Sequence, residues 1–324
     1  MQLDFALSRQ RLRALQAGAV MVAERPALFE ITGPGAVDCL QGLLTSDVSA
    51  AGPDSLSYGA MLTSKGMIIL DPFVLRAGDT VTLLLASFAR ERALAHFARV
   101  LPPRLARVRD RTGEWEVRWL LGAGALGLLR QHGVAVPESG RVARGEESGH
   151  PILIGRASPV MPFVALLLGE TDPIGRLAER LDRSGTASGD EATLATARVL
   201  AGWPSLGREI DEKTLPQEVR YDELGAVSYS KGCYTGQETV ARVHFRGHPN
   251  RYLRALTMPP TPTFPDRRIS AAGREVGVLR TTVMLEDRTL ALATLRREVP
   301  ENAVLSIDAR EARILPFPVV EVAV

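Results

Sequence analysis

Ile31–Gln41 reads ITGPGAVDCLQ, and further along Leu120–Arg130 reads LLGAGALGLLR. The two stretches align without a gap, with Gly33, Gly35, Ala36 and Leu40 falling on Gly122, Gly124, Ala125 and Leu129. In each, a β-prone apolar run enters a Gly-x-Gly turn and leaves with apolar residues at helical spacing, the pattern of strand, tight turn and helix. Working outward, Ala27–Thr32 reads as the first strand and Ala36–Leu44 as its helix. Downstream of each turn the pattern comes again. Thr80–Ala86 is a strand before a helix reaching about Val100. Pro162–Leu168 is a strand before a helix over Pro173–Leu181, with Asp172 as N-cap and proline at its first position. The first 185 residues therefore predict an α+β pseudo-duplication. A further helix, Glu191–Ala201, is capped by Asp190 and stopped by Gly202.

Beyond Arg251 the pattern changes. Tyr252–Met258, Glu275–Leu279, Leu290–Leu295, Val304–Ile307 and Val319–Val322 are short β-rich runs separated by Pro/Gly turns, which predicts a small antiparallel barrel or sandwich. The expected division is 1–240 and 245–324, with the barrel packed against the Lys231–Arg242 segment. The 324 residues are 45% hydrophobic and 23% charged, with a net charge of +2. That excludes disordered, collagen-like and disulfide-scaffold classes and names no polyanion partner. Cys39 and Cys233 are the only cysteines, so a reducing cytoplasm fits best. The five histidines lack zinc-site spacing, and no metal is expected. The N-terminus has no signal-peptide pattern and no apolar run reaches a membrane span.

Gly122-Ala-Gly124-Ala-Leu-Gly127 matches a dinucleotide-binding fingerprint. No acidic strand end follows about 20 residues later, and the duplication already explains the first two glycines, so the turn is structural. Ser230–Glu238 (SKGCYTGQE) carries the strongest chemical signal. It concentrates Lys231, one of only three lysines, with Cys233 and Tyr234 in a glycine-bracketed turn. Thr235-x-x-Glu238 reads as a capping box, so a helix is expected over Gln237–Phe245. A thiol ahead of that helix and two residues from Lys231 is expected to favour thiolate. Ser64-Lys65-Gly66 reads as a hairpin turn followed by Asp71-Pro72. Thr239–Pro265 holds four arginines and two histidines with no acidic residue, an anion-binding or a merely solvated face. Phe245 and Tyr252 alone are too few aromatics for stacking on single-stranded nucleic acid.

KGCYTGQETVAR at Lys231–Arg242 resembles the signature of the YgfZ family of folate-binding proteins, relatives of the glycine-cleavage T-protein (aminomethyltransferase). LQGLLTSDV at Leu40–Val48, Lys65-Gly66, Arg198 with Gly202-Trp203-Pro204, and Leu215–Glu218 fall in that family's order. The resemblance implies a T-protein-like fold, with two intertwined α+β domains and a C-terminal antiparallel β-barrel forming a ring around a tetrahydrofolate cavity. It also implies a role in iron–sulfur cluster assembly or repair, linked to iron–sulfur-dependent tRNA modification. Lys231, Cys233, Tyr234, Gln237, Glu238 and Arg242 match the family string. On this reading Cys233, Lys231 and Asp71 are the reactive candidates. Tyr234, Gln237, Glu238, Arg242, Arg198 and Lys65 are the folate-binding ones.

Two departures separate the chain from T-proteins. Asp71-Pro72 stands where they carry an Asp-Asp pair, and Leu200 stands where they carry a pterin-binding Glu. Leucine cannot accept from the pterin N–H edge, and a buried N–H left unpaired costs about 1–3 kcal/mol. Folate is then held weakly or in another pose. The expected function is a folate-binding accessory protein for unnamed iron–sulfur client enzymes. The alternatives are a tetrahydrofolate-dependent aminomethyl- or methyltransferase relying on Asp71, and a weak RNA-binding module using residues 239–265.

Overall fold

The computed structural model describes residues 2–319. Two sheets carry the duplicated units. In the first, Ala27–Thr32 lies between Thr80–Leu85 and Arg107–Asp110, with Phe73–Ala77 and Asp54–Tyr58 beyond, all antiparallel. In the second, Trp115–Leu121 lies between Ala165–Glu170 and Val20–Glu24. The hairpin Val142–Glu147/His150–Arg156 extends one side, and Ala187–Gly189 runs parallel to Val20–Glu24 on the other. The units are interleaved, because the strand that opens the chain's α+β part pairs in the second sheet.

The equivalence read from the two glycine turns holds in three dimensions. Ala27–Thr32 pairs with Thr80–Leu85 as Trp115–Leu121 pairs with Ala165–Glu170. Gly33 and Gly122 adopt φ of 128° and 89°. A Cβ on them would meet Leu105 O at 2.4 Å and Gly18 O at 2.5 Å, so both sites require glycine on conformational and steric grounds.

Among the described residues seven α-helices surround the sheets: α1 Arg9–Ala17, α2 Ala36–Gln41, α3 Arg90–Val100, α4 Ala125–Gln131, α5 Thr171–Asp182, α6 Glu191–Ala201 and α7 Gln237–Arg246. Three boundaries correct the sequence reading. α2 stops at Gln41 rather than Leu44, for a reason given below. α5 begins at Thr171, so Asp172 lies inside its first turn and is not the cap; Thr171 N–H bonds Glu114 O instead. Pro173 is tolerated there because first-turn N–H groups have no intrahelical acceptor. α7 lacks the expected capping box, since its N-cap is Gly236 with no side-chain cap bond. Gly236 has φ 83°, and a Cβ on it would lie 2.5 Å from Thr63 O. Close approach to the 63–66 turn fixes the helix start, not Thr235.

The C-terminal strands Arg251–Met258, Arg268–Ala271, Arg274–Met284, Thr289–Arg296, Leu305–Ile307 and Arg310–Leu315 close into a six-stranded antiparallel barrel. The N-terminal strand Asp4–Ala6 joins it, parallel to Thr282–Met284. Arg310–Leu315 is the closing strand; of the expected Val319–Val322 run, residues 320–322 lie outside the described residues. The barrel docks through a shared apolar cluster in which Phe5, Leu12, Ala195 and Val199 pack with Leu253, Val283 and Leu292. Its seat is thus α1 and α6, where the sequence suggested the Lys231–Arg242 segment.

Candidate functional site: two cavities beside α6 and an exposed signature helix

One cavity expected at the centre, facing both Asp71 and Cys233, is replaced by two separate ones. The centre is filled with aromatic side chains. Tyr58, Phe73 and Trp203 pack with centroids 4.6–5.7 Å apart, and Phe73 also touches Trp119 and Phe163 at 5.5 and 5.3 Å. About 60 Å³ of free space remains there, walled by Asp71, Arg198, Tyr58 and Trp203. A pocket of 460 Å³ lies beyond Phe163, walled by Leu121, Leu126, Arg156, Phe163, Leu200 and Val319 among others. α6 serves both, because Arg198 and Leu200 are two residues apart and leave the helix on different sides. Phe163 lines the large pocket while its ring packs on Phe73 and Trp119, which line the small one.

At the small cavity the Asp71 carboxylate accepts from Leu206 N–H at 3.0 Å and from the Tyr58 hydroxyl at 3.2 Å. Tyr58 is in turn 2.9 Å from the Tyr221 hydroxyl. Burial pushes the Asp71 carboxyl up to about 7, against the opposing pull of those two bonds and of the Arg198 guanidinium. Burial and the neighbouring carboxylate push both tyrosines well above their ordinary value. This is a buried carboxyl raised toward neutral pH on a short hydroxyl chain, a group suited to giving or taking a proton. The sequence reading found Asp71 and Arg198. It quoted Trp203 only as part of the string after Arg198, and it missed Tyr58 and Tyr221, which come from two distant segments and carry no local signal.

None of residues 231–242 lines either cavity. Lys231 is turned inward, and its ammonium donates to Gln41 O at 2.6 Å, Leu44 O at 2.8 Å and Ser46 O at 2.9 Å. Three donors meet three carbonyls at the C-terminal end of α2, where a cation also complements the helix dipole. To aim those carbonyls at one point the chain must leave the helical path after Gln41, which is why α2 ends early. Burial pulls the Lys231 amine down to about 8, with the Asp47 carboxylate opposing. The ammonium lies 5.1 Å over the Tyr234 ring. Lys231 thereby ties the turn before α7 to the chain at and just after the end of α2.

Tyr234 is buried, and burial pushes its hydroxyl up to about 12; among the described residues that hydroxyl has no hydrogen-bond partner. Cys233 is exposed, whereas Cys39 is half-buried, with its thiol pushed up by burial and by Asp38. Gln237, Glu238 and Arg242 lie on α7, whose single buried residue is Val240. Lys65 is exposed at the 63–66 turn, whose Gly66 abuts Thr239. The hairpin Met61–Leu62/Ile68–Leu70 thus touches the signature segment at its turn and carries Asp71 just past its other end. Among the described residues no His/Cys/Asp/Glu group could hold a metal ion, and no helix is long and apolar enough to cross a membrane.

The family model described as the GCVT N-terminal domain matches residues 13–158. The tRNA-modifying protein YgfZ of Escherichia coli O6:K15:H31 is 25% identical over 309 residues, covering 92% of each chain. The tRNA-modifying protein YgfZ of Cronobacter sakazakii is 26% identical over 307 residues, covering 90% of each. In structure, the glycine cleavage system aminomethyltransferase T from Bartonella henselae superposes with a TM-score of 0.82. It covers 96% of this chain and 89% of that one at 17% identity, a likeness of fold. With the signature string leading into α7, the duplicated sheets and the six-stranded barrel in place, the chain has a T-protein-like fold, matches the GCVT N-terminal domain over residues 13–158 and is similar along nearly its whole length to the YgfZ tRNA-modifying proteins.

Proposed function

We propose that this chain is a cytoplasmic folate-binding accessory protein that supports iron–sulfur cluster assembly or repair in enzymes of tRNA modification. The 460 Å³ pocket beside α6 carries the ligand half of this reading. Its volume falls in the range of small-molecule sites, about 300–1,000 Å³, and its walls are apolar with Arg156, Ser139 and Ser158 as polar points. That suits a flat pterin or aminobenzoyl ring with an anionic tail. Leu200 lies on that wall, so the pocket offers shape and an arginine but no carboxylate for the pterin N–H edge. A bound reduced folate supplies a one-carbon carrier; the residues here bind and orient it. The exposed Cys233 thiol is the group able to meet a client enzyme, as one thiol that can relay but not by itself hold a cluster.

The second reading is aminomethyl or methyl transfer with Asp71 as the proton-handling group. It is favoured by the carboxyl being held at about 7. It is disfavoured by Phe163 and Trp119, which stand between Asp71 and a pocket large enough for folate. Titration calorimetry with tetrahydrofolate tests the first reading. The protein should bind, and Leu200→Glu should bind about tenfold tighter by restoring the N–H acceptor. No heat with either protein up to millimolar ligand overturns the folate reading.

A further inference from the structure

We infer that the C-terminal half of α7, with Tyr229 behind it, is a docking site for an unpaired segment of RNA; this deepens the tRNA reading above by giving it a contact surface. Arg242, Phe245 and Arg246 stand at i, i+3 and i+4 and so share one face. Phe245 is 68% exposed, an unusual position for phenylalanine. It is not a loose ring. The His244 ring meets it edge-on at 4.7 Å, and Tyr229 stacks on His244 at 3.7 Å. Asp222 fixes this shelf from below, accepting from the Tyr229 hydroxyl and lying 3.3 Å from His244 Nδ1. The sequence showed too few aromatics here for base stacking; the fold adds the half-buried Tyr229 from another segment, which backs the exposed His244 and Phe245 rings.

Charge argues for the same occupant. At the barrel junction, Arg251 pairs with Glu218 and Asp211, and Arg280 with Asp211. Arg242 and Arg246 are exposed, and among the described residues neither has a carboxylate partner. They lie one helical turn apart, about 6 Å along the axis, comparable to the step between successive phosphates of a single strand. His248 is exposed just past the helix, and residues 239–265 contain no acid. Glu238 stands one turn before Arg242 on α7 without an ion pair to it among the described residues, and Asp222 is already engaged by Tyr229 and His244. Exposed ring faces flanked by free guanidinium groups are what an unstacked base and its phosphates require. An acidic protein segment would use the arginines but gain less from a fixed aromatic shelf.

The test is fluorescence anisotropy of a short labelled oligouridylate with the full chain at low salt, with a labelled oligoglutamate as the competing probe. The oligouridylate should bind with clear salt dependence. Phe245→Ala should weaken it roughly tenfold, and the pair Arg242→Gln/Arg246→Gln should lower the log–log salt slope by about 1.4. These residues are exposed, so thermal midpoints should stay put, and tetrahydrofolate binding should be unchanged in Phe245→Ala. RNA binding indifferent to both variants, or no RNA binding at low salt, overturns the proposal and leaves the folate reading standing. Oligoglutamate bound as tightly, with the same dependence on Phe245, overturns it in favour of an acidic protein partner.

Discussion

The surroundings of Asp71 and the Lys231–Arg242 segment divide the chemistry of this molecule between inside and outside. The first is an interior of stacked rings in which one carboxyl keeps its proton to about pH 7. The second is the most distinctive string in the sequence, and it lies almost wholly at the surface apart from Lys231, Tyr234 and Val240. The reactive-looking lysine is inside and serves structure, while the cysteine two residues on is outside and free to meet a partner. Residue type alone would have ranked them together. What separates them is which way the backbone turns between Tyr229 and Gly236.

Three experiments can break or sharpen that division. The largest effect is expected from Asp71→Asn. The Asp71 carboxyl is raised to about 7 in the folded chain from its ordinary 3.8. The folded state therefore holds a proton that the unfolded chain releases. The stability this contributes is fully present below about pH 4 and is lost as pH rises through about 7. The variant should match its parent below about pH 4 and exceed it by on the order of 4 kcal/mol at pH 8. A difference that does not change with pH would show an ordinary carboxylate and remove the proton-handling role.

Lys231→Met comes next, because it strips the donor from three buried carbonyls at once. An unpaired buried acceptor costs about 1–3 kcal/mol, partly offset by no longer burying an ammonium, so a loss of about 3 kcal/mol is expected in urea unfolding. A loss below about 1 kcal/mol would mean the cap is dispensable and would return Lys231 to the reactive group. The smallest effect is kinetic. Cys233 should be alkylated on the order of tenfold faster than Cys39 at neutral pH, read by peptide mass spectrometry. Cys39 reacting first would make the surface placement of Cys233 irrelevant to its chemistry.

Local rules carried the duplication, α6 with its Asp190 cap, and the β-rich C-terminal part, because each is written in contiguous residues: glycine spacing, cap chemistry, alternation. They failed where a distant atom decides a local boundary. α2 ends early where an ammonium nearly two hundred residues away gathers the carbonyls of Gln41, Leu44 and Ser46. α7 starts at Gly236 because the 63–66 turn leaves no room for a Cβ.

The sequence by itself determined the fold class, through two copies of a turn that only glycine can make and a string specific enough to identify the fold's relatives. It also singled out Asp71, Arg198 and Cys233 as residues of interest. Only the tertiary structure decided that Asp71 and Cys233 do not share a cavity, that Lys231 is a cap, and that Tyr229 joins His244 and Phe245 in one surface shelf. Periodicity and capping are properties of a few neighbouring residues. Desolvation, cavity shape and ring stacking depend on which segments the fold brings together, and no window of sequence contains them.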